Sequence, residues 1–212
     1  MIEVKNLTKK FGHQLSLESV SLTFEQNSST IIMGQNGAGK TTLVRTILGE
    51  YIPTQGDVLI HGKNPFTHRE EALKNIGFVP QLPPPIKLSV SELIHYAVVS
   101  SGSSKETIFD LCQKLELDLS ANLNKLFFKL SGGMKQKLLI AIALAKNPNI
   151  FIFDEPTANL DPKGRDIFYS ILNEYIDNKV MIFISHRLEE VHNIVNRKIE
   201  MDLGKVILDE KI

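Results

Sequence analysis

The run Gly34-Gln35-Asn36-Gly37-Ala38-Gly39-Lys40-Thr41-Thr42 fits the pattern G-x-x-x-x-G-K-[ST]. Small residues let a backbone close around an anion, with successive N–H groups pointing inward. A helix starting directly after such a loop adds a field that favours negative charge. In this arrangement Lys40 reaches the β- and γ-phosphates of a nucleotide, and the Thr41 hydroxyl sits on its Mg²⁺. A chance glycine turn is the bland alternative. The apolar run Thr30–Met33 before the loop and the helical pattern Thr41–Leu48 after it favour a nucleotide site.

A second candidate group lies far along the chain. Ile150–Phe153 is wholly apolar and runs into Asp154-Glu155. Ligands of open α/β sheets bind beyond the carboxyl ends of strands, where these two acids fall. Asp154 is suited to holding a Mg²⁺ water. Glu155 is suited to polarising the water that attacks a γ-phosphate, in effect a general base. Taken alone, the pair reads equally as two solvated acids at a strand end. A phosphate loop upstream tips the balance towards hydrolysis.

Strand-like and helix-like runs alternate, the pattern of an α/β fold with a mainly parallel sheet. Ile2–Leu7, Leu17–Phe24 and Asp57–His61 predict an N-terminal antiparallel β layer. Ile76–Pro80 reads as a strand, and Pro83-Pro84-Pro85 stops it. Helices are expected over Val90–Val99 and Lys105–Leu117, the second opened by a capping box of Ser103 and Glu106. Ser131–Ala145, Lys163–Tyr175 and Arg187–Val195 also read as helices. Val180–Ile184 reads as a buried strand, and Lys198–Leu203 with Val206–Leu208 as a hairpin turned at Gly204. The expectation is one domain, 1–212, with a helical segment inserted over about 82–130.

Composition narrows the class. The 212 residues carry 24 Lys plus Arg and 24 Asp plus Glu, so no net basic charge points to nucleic acid. The single cysteine, Cys112, excludes an intrachain disulfide and reads as a small buried hydrophobe. No run reaches the roughly 18–20 apolar residues that span a bilayer, and Met1–Lys5 lacks the features of a signal peptide. A cytoplasmic protein is expected, alone or peripheral on the cytoplasmic face of a membrane through a partner.

Leu130-Ser131-Gly132-Gly133-Met134-Lys135-Gln136-Lys137, just ahead of the carboxylate strand, resembles the signature of the ATP-binding-cassette (ABC) family. By itself it would be a serine-capped helix start with glycines. Its spacing from Asp154 makes the family reading the stronger one. The resemblance extends over essentially the whole chain, with the motifs in family order. It implies an α/β phosphate-loop core, an antiparallel β layer and a helical subdomain. It also implies ATP and Mg²⁺ as cofactors. Gln81 resembles the glutamine that contacts Mg²⁺ and the attacking water. His186 resembles the switch histidine on the γ-phosphate, and Asn159-Leu160-Asp161 the loop that crosses the dimer interface. Phe11 resembles the aromatic residue that stacks on adenine. Met134 departs from the usual glutamine, and Phe11 from the commoner tyrosine.

For the family, Ser131, Gly132 and Gly133 of one subunit close on the γ-phosphate held by another. The resemblance therefore implies a head-to-tail dimer and integral-membrane transporter subunits as partners, with Pro83–Leu88 near the membrane contact. The compact form is similar to ATPases of small exporters and of metal-cofactor-maturation systems. A mechanical ATPase acting on nucleic acid or a protein complex is the alternative, though no heptad array or cysteine cluster supports it. A phosphotransferase would leave Leu130–Gly133 and His186 unexplained.

Overall fold

The computed structural model describes residues 1–212, which divide into two compact units: Met1–Ile76 with Asn178–Ile212, and Gly77–Asp177. In the first unit, β1 (Ile2–Phe11), β2 (Gln14–Phe24) and β4 (Gln55–Ile60) form an antiparallel sheet in the order β2-β1-β4. Alternation of buried Leu22 and Phe24 with exposed Ser21 and Thr23 gives β2 one core face. These strands are longer than the sequence pattern predicts because the hairpin ends carry polar residues, such as Lys9 and Lys10, that pair without being buried.

The same unit holds β3 (Ser29–Met33) between β7 (Val180–Ile184) and β8 (Arg197–Asp202), both parallel to it, with β9 (Lys205–Lys211) antiparallel on β8. All five residues of β7 are buried, which accounts for its unbroken apolar run, and the first four of β3 are buried too, Ser29 and Thr30 among them. Ile32 lies opposite Ile184, and Met33 opposite Glu200. The three parallel strands therefore end at one level, and the chain leaves each of them on the same side. Helix α1 (Lys40–Ile47) follows β3, and a short α2 (Arg69–Leu73) precedes β5 (Ile76–Val79).

The second unit contains most of β5, next to β6 (Ile150–Asp154), and four helices of more than one turn: α3 (Val90–Ser101), α4 (Lys105–Lys114), α5 (Gly132–Ala145) and α6 (Pro162–Leu172). Phe151 and Phe153 stack at 5.6 Å on β6, and Phe168 of α6 meets Phe153 edge-on. No helix is long and apolar enough to cross a membrane.

Three expectations need correction. Helix α4 is capped by Ser104, whose hydroxyl accepts from the Thr107 N–H at 3.0 Å; Ser103 is turned inward and bonds Ser101. The capping box stands instead at α3, where Ser89 and Glu92 exchange bonds. The expected helix Arg187–Val195 shrinks to α7, Leu188–Val191, in the first unit. Beyond it, Asn196 bonds Ser29 through its side-chain carbonyl and Asn27 through its amide, an alternative to helical pairing. The expected helix to Tyr175 ends at Leu172 and tightens into a 3₁₀ turn over Asn173–Tyr175.

Candidate functional site

The phosphate loop leaves β3 after Met33 and enters α1 at Lys40, as its sequence predicts. Gly39, at φ +100°, is the N-cap; an added Cβ there would lie 2.6 Å from the Ser16 carbonyl oxygen, so the position requires glycine. Lys40 folds back over the loop. Its ammonium donates to the Gly34 carbonyl at 2.6 Å and the Gln35 carbonyl at 3.0 Å, and the residue is 7% exposed. Gly34 through Gly39 thus form a turn with a fixed cation at its centre and the amino end of α1 at its rim. Asn36 and Gly37 at its tip are exposed, and Ala38 is buried behind it. Thr41 is exposed, and the Thr42 hydroxyl accepts from Ser16 at 2.8 Å.

The back of the loop is braced by a segment that sequence reading treated only as a hairpin. The Gly204 N–H donates to the Ala38 carbonyl at 3.1 Å, and its carbonyl accepts from Glu18 at 2.9 Å. His186 stands two residues beyond β7 and is exposed, at the same strand end from which the phosphate loop departs. Phe11 ends β1 with 43% of its surface exposed, so its ring is accessible and not part of the core. The first unit therefore holds the loop, His186 and an accessible aromatic ring.

The second unit holds the other predicted residues. Asp154 closes β6 and is 4% exposed; Glu155 follows at φ +47°, an uncommon conformation that turns the chain sharply out of the strand. Its carbonyl accepts from Ala158 at 3.1 Å, starting the turn that leads to Asp161. Asp161 caps α6, accepting from the Gly164 N–H at 3.2 Å, with Pro162 at the first helical position. Ser131 likewise caps α5, accepting from Met134 at 3.2 Å. Ser131 and Gly132 are exposed and Gly133 half-buried, so the amino end of this helix is open to a ligand.

Two amide side chains tie these pieces of the second unit together. Gln136 of α5 is fully buried and donates to the Pro80 carbonyl at 3.4 Å. Asn159 donates to the carbonyl of the exposed Gln81, also at 3.4 Å, and its backbone carbonyl lies against Gly133. Consecutive carbonyls of the Pro80–Gln81 segment are thus held from the Ser131 helix and from the turn after Glu155. Gln136 lies in the run Leu130–Lys137 and Asn159 in Asn159–Asp161, but neither run shows that its amide holds Pro80–Gln81.

In the first unit the loop offers a cation and a helix start for phosphate, and the Thr41 hydroxyl is a hard oxygen donor of the kind Mg²⁺ takes. In the second unit the Gln81 amide oxygen and the Asp154 carboxylate are donors of the same kind.

The family model described as ABC transporter matches residues 17–158. The zinc import ATP-binding protein ZnuC of Rickettsia conorii is 36% identical over 89% of this chain and 77% of its own length. ATP-binding cassette sub-family A member 13 of Homo sapiens is 32% identical over 97% of this chain, which spans only 4% of that protein. A dimeric ATP-binding cassette in a post-hydrolysis state, bound to ADP and Pi, superposes with a TM-score of 0.85 at 28% identity, over 100% of this chain and 98% of the other. With its phosphate loop, its paired acids at the end of β6 and its capped glycine helix start, the chain belongs to the ABC transporter family, as an ATP-binding cassette.

Proposed function

We propose that this chain is the ATP-hydrolysing subunit of a membrane transporter, working as a head-to-tail pair on the cytoplasmic face. The observation that carries the reading is the Lys40 ammonium, held over the phosphate loop by two of the loop's own carbonyls. Those bonds are exchanged for phosphate oxygens when ATP binds, and the Gly34–Thr42 amides supply the remaining donors. Phe11 stacks on adenine. Thr41, Gln81 and Asp154 would hold Mg²⁺, which would supply positive charge to neutralise the phosphates. Glu155 and Gln81 orient the attacking water, and His186 contacts the γ-phosphate. Ser131, Gly132 and Gly133 of a second copy, or of a homologous subunit, complete the site, with Asp161 at the junction.

Closure then depends on the γ-phosphate, because only the triphosphate is bound from both sides. Hydrolysis removes that differential affinity and the pair opens, a population shift that a membrane subunit converts into transport. The helical segment 82–130, with Pro83–Leu88 at its start, receives that subunit. A narrower reading, a small exporter or a system assisting metal-cofactor maturation, follows the sequence resemblance. Purifying the tagged protein from its native membranes tests both. A multi-span membrane protein in stoichiometric amount supports the transporter reading, and its identity decides the narrower one. Recovery of only soluble or nucleic-acid-bound partners contradicts it and favours a mechanical ATPase.

A further inference from the structure

Around Phe11 stands a small cluster that the phosphate chemistry does not use. The Tyr51 ring meets Phe11 at 5.1 Å between centroids and 82° between planes, an edge-to-face pair. The Lys9 ammonium lies 4.8 Å from the Phe11 centroid and 6.0 Å from that of Tyr51, and it is anchored by the Ile52 carbonyl at 2.7 Å. On its other side Tyr51 reaches α1. Arg45, in the last turn of that helix, places its guanidinium 5.8 Å from the Tyr51 ring, and its Nη1 donates to the Tyr51 hydroxyl at 3.4 Å. The Tyr51 N–H donates to the Arg45 carbonyl, also at 3.4 Å.

Tyr51 therefore joins two parts of a nucleotide site. One neighbour is the exposed aromatic ring at the end of β1, and the other belongs to the helix whose first residue is Lys40. We propose that Tyr51 is a positioning residue for the nucleotide base: it fixes the plane of Phe11 relative to α1, so that base and phosphates are held at a set separation. This rests on the reading of Phe11 as the base-stacking residue. An exposed phenylalanine at a strand end otherwise samples several rotamers, and a base stacking on it must select one. Perpendicular contact with Tyr51 makes that selection beforehand, which is preorganisation. The inference concerns the base alone, so the triphosphate moiety should be bound equally well with or without it.

That separation gives the test. Affinities for ATP and for inorganic tripolyphosphate, each with Mg²⁺, are measured by calorimetry on the full chain and on Tyr51→Leu, Tyr51→Phe and Phe11→Ala. The expected result is that Tyr51→Leu weakens ATP binding about three- to tenfold, the range of one aromatic pair, and leaves tripolyphosphate unchanged. Tyr51→Phe keeps the ring against both Phe11 and Arg45 and should restore ATP affinity. Tripolyphosphate binding also reports that each variant is folded. Equal weakening of both ligands by Tyr51→Leu, or weakening of neither, overturns the proposal. If Phe11→Ala itself fails to discriminate between the two ligands, the base-stacking reading falls, and this inference with it. If Phe11→Ala discriminates and Tyr51→Leu does not, only the role of Tyr51 is lost.

Discussion

Replacing Gly204 by alanine tests whether the C-terminal hairpin shapes the phosphate loop. Gly204 has φ +81°, and an added Cβ would lie 2.8 Å from the Ser16 carbonyl oxygen and 3.2 Å from Leu17 Cα. Holding alanine in the left-handed region costs ~1–2 kcal/mol. Relieving a contact with backbone costs a further ~1–3 kcal/mol, as overpacking does. Together these come to ~2–5 kcal/mol, which for a chain of this length lowers Tm by about 5–15 °C. Ser16 supports the Thr42 hydroxyl, and Gly204 itself holds the Ala38 carbonyl. The displacement therefore falls on the loop, and losing one hydrogen bond's worth of order there raises the ATP Kd about fivefold. Thermal melting with and without MgATP, and titration with a fluorescent ATP analogue well below Tm, read both effects. A Tm within about 1 °C of the parent, with Kd unchanged, would refute the packing argument. A lower Tm with an unchanged Kd would refute the coupling to nucleotide.

The neighbouring Leu203 provides a contrasting case: it is 78% exposed at φ +44°, a conformation asparagine tolerates far better. Leu203→Asn should raise Tm by about 1–4 °C and leave ATP affinity unchanged, as the same melts and titrations will report. Glu155→Gln should slow phosphate release by a factor of about 10²–10⁴ while keeping ATP affinity, measured by steady-state hydrolysis and equilibrium binding. Burial pushes the Cys112 thiol from 9.0 up to about 12. The folded chain then keeps that proton where the unfolded chain has lost it, so stability should fall as pH rises from 9 towards 12 and be insensitive to this thiol below 9. Urea unfolding at several alkaline pH values, compared with Cys112→Ala, checks the slope.

What could be read in advance follows from where the information is local. The phosphate loop is a contiguous run whose glycines and lysine act through their own backbone, so both its position and its shape were legible. The strands β6 and β7 were legible because burial on both faces leaves apolar residues throughout β7 and up to Asp154 in β6. Ser103 is expected as the cap in place of Ser104 because adjacent serines offer equivalent caps, and only the path of the chain from α3 decides between them. The Ser89–Glu92 box was in plain view, masked by the proline run before it. The helix expected over Arg187–Val195 is regular only over Leu188–Val191, and past it Asn196 pairs with Asn27 and Ser29, contacts that no local pattern shows. Gly204, Gln136 and Asn159 support functional segments far away in sequence, and such pairings have no local pattern.

Where the second subunit is another copy of this chain, the central claim is that ATP closes two copies of this cassette on each other. Sedimentation equilibrium of the Glu155→Gln chain, with saturating MgATP and then with MgADP, tests it most directly. A doubled mass in ATP, falling back to that of the single chain in ADP, is the predicted result. A single-chain mass in both, with ATP demonstrably bound, would contradict the account.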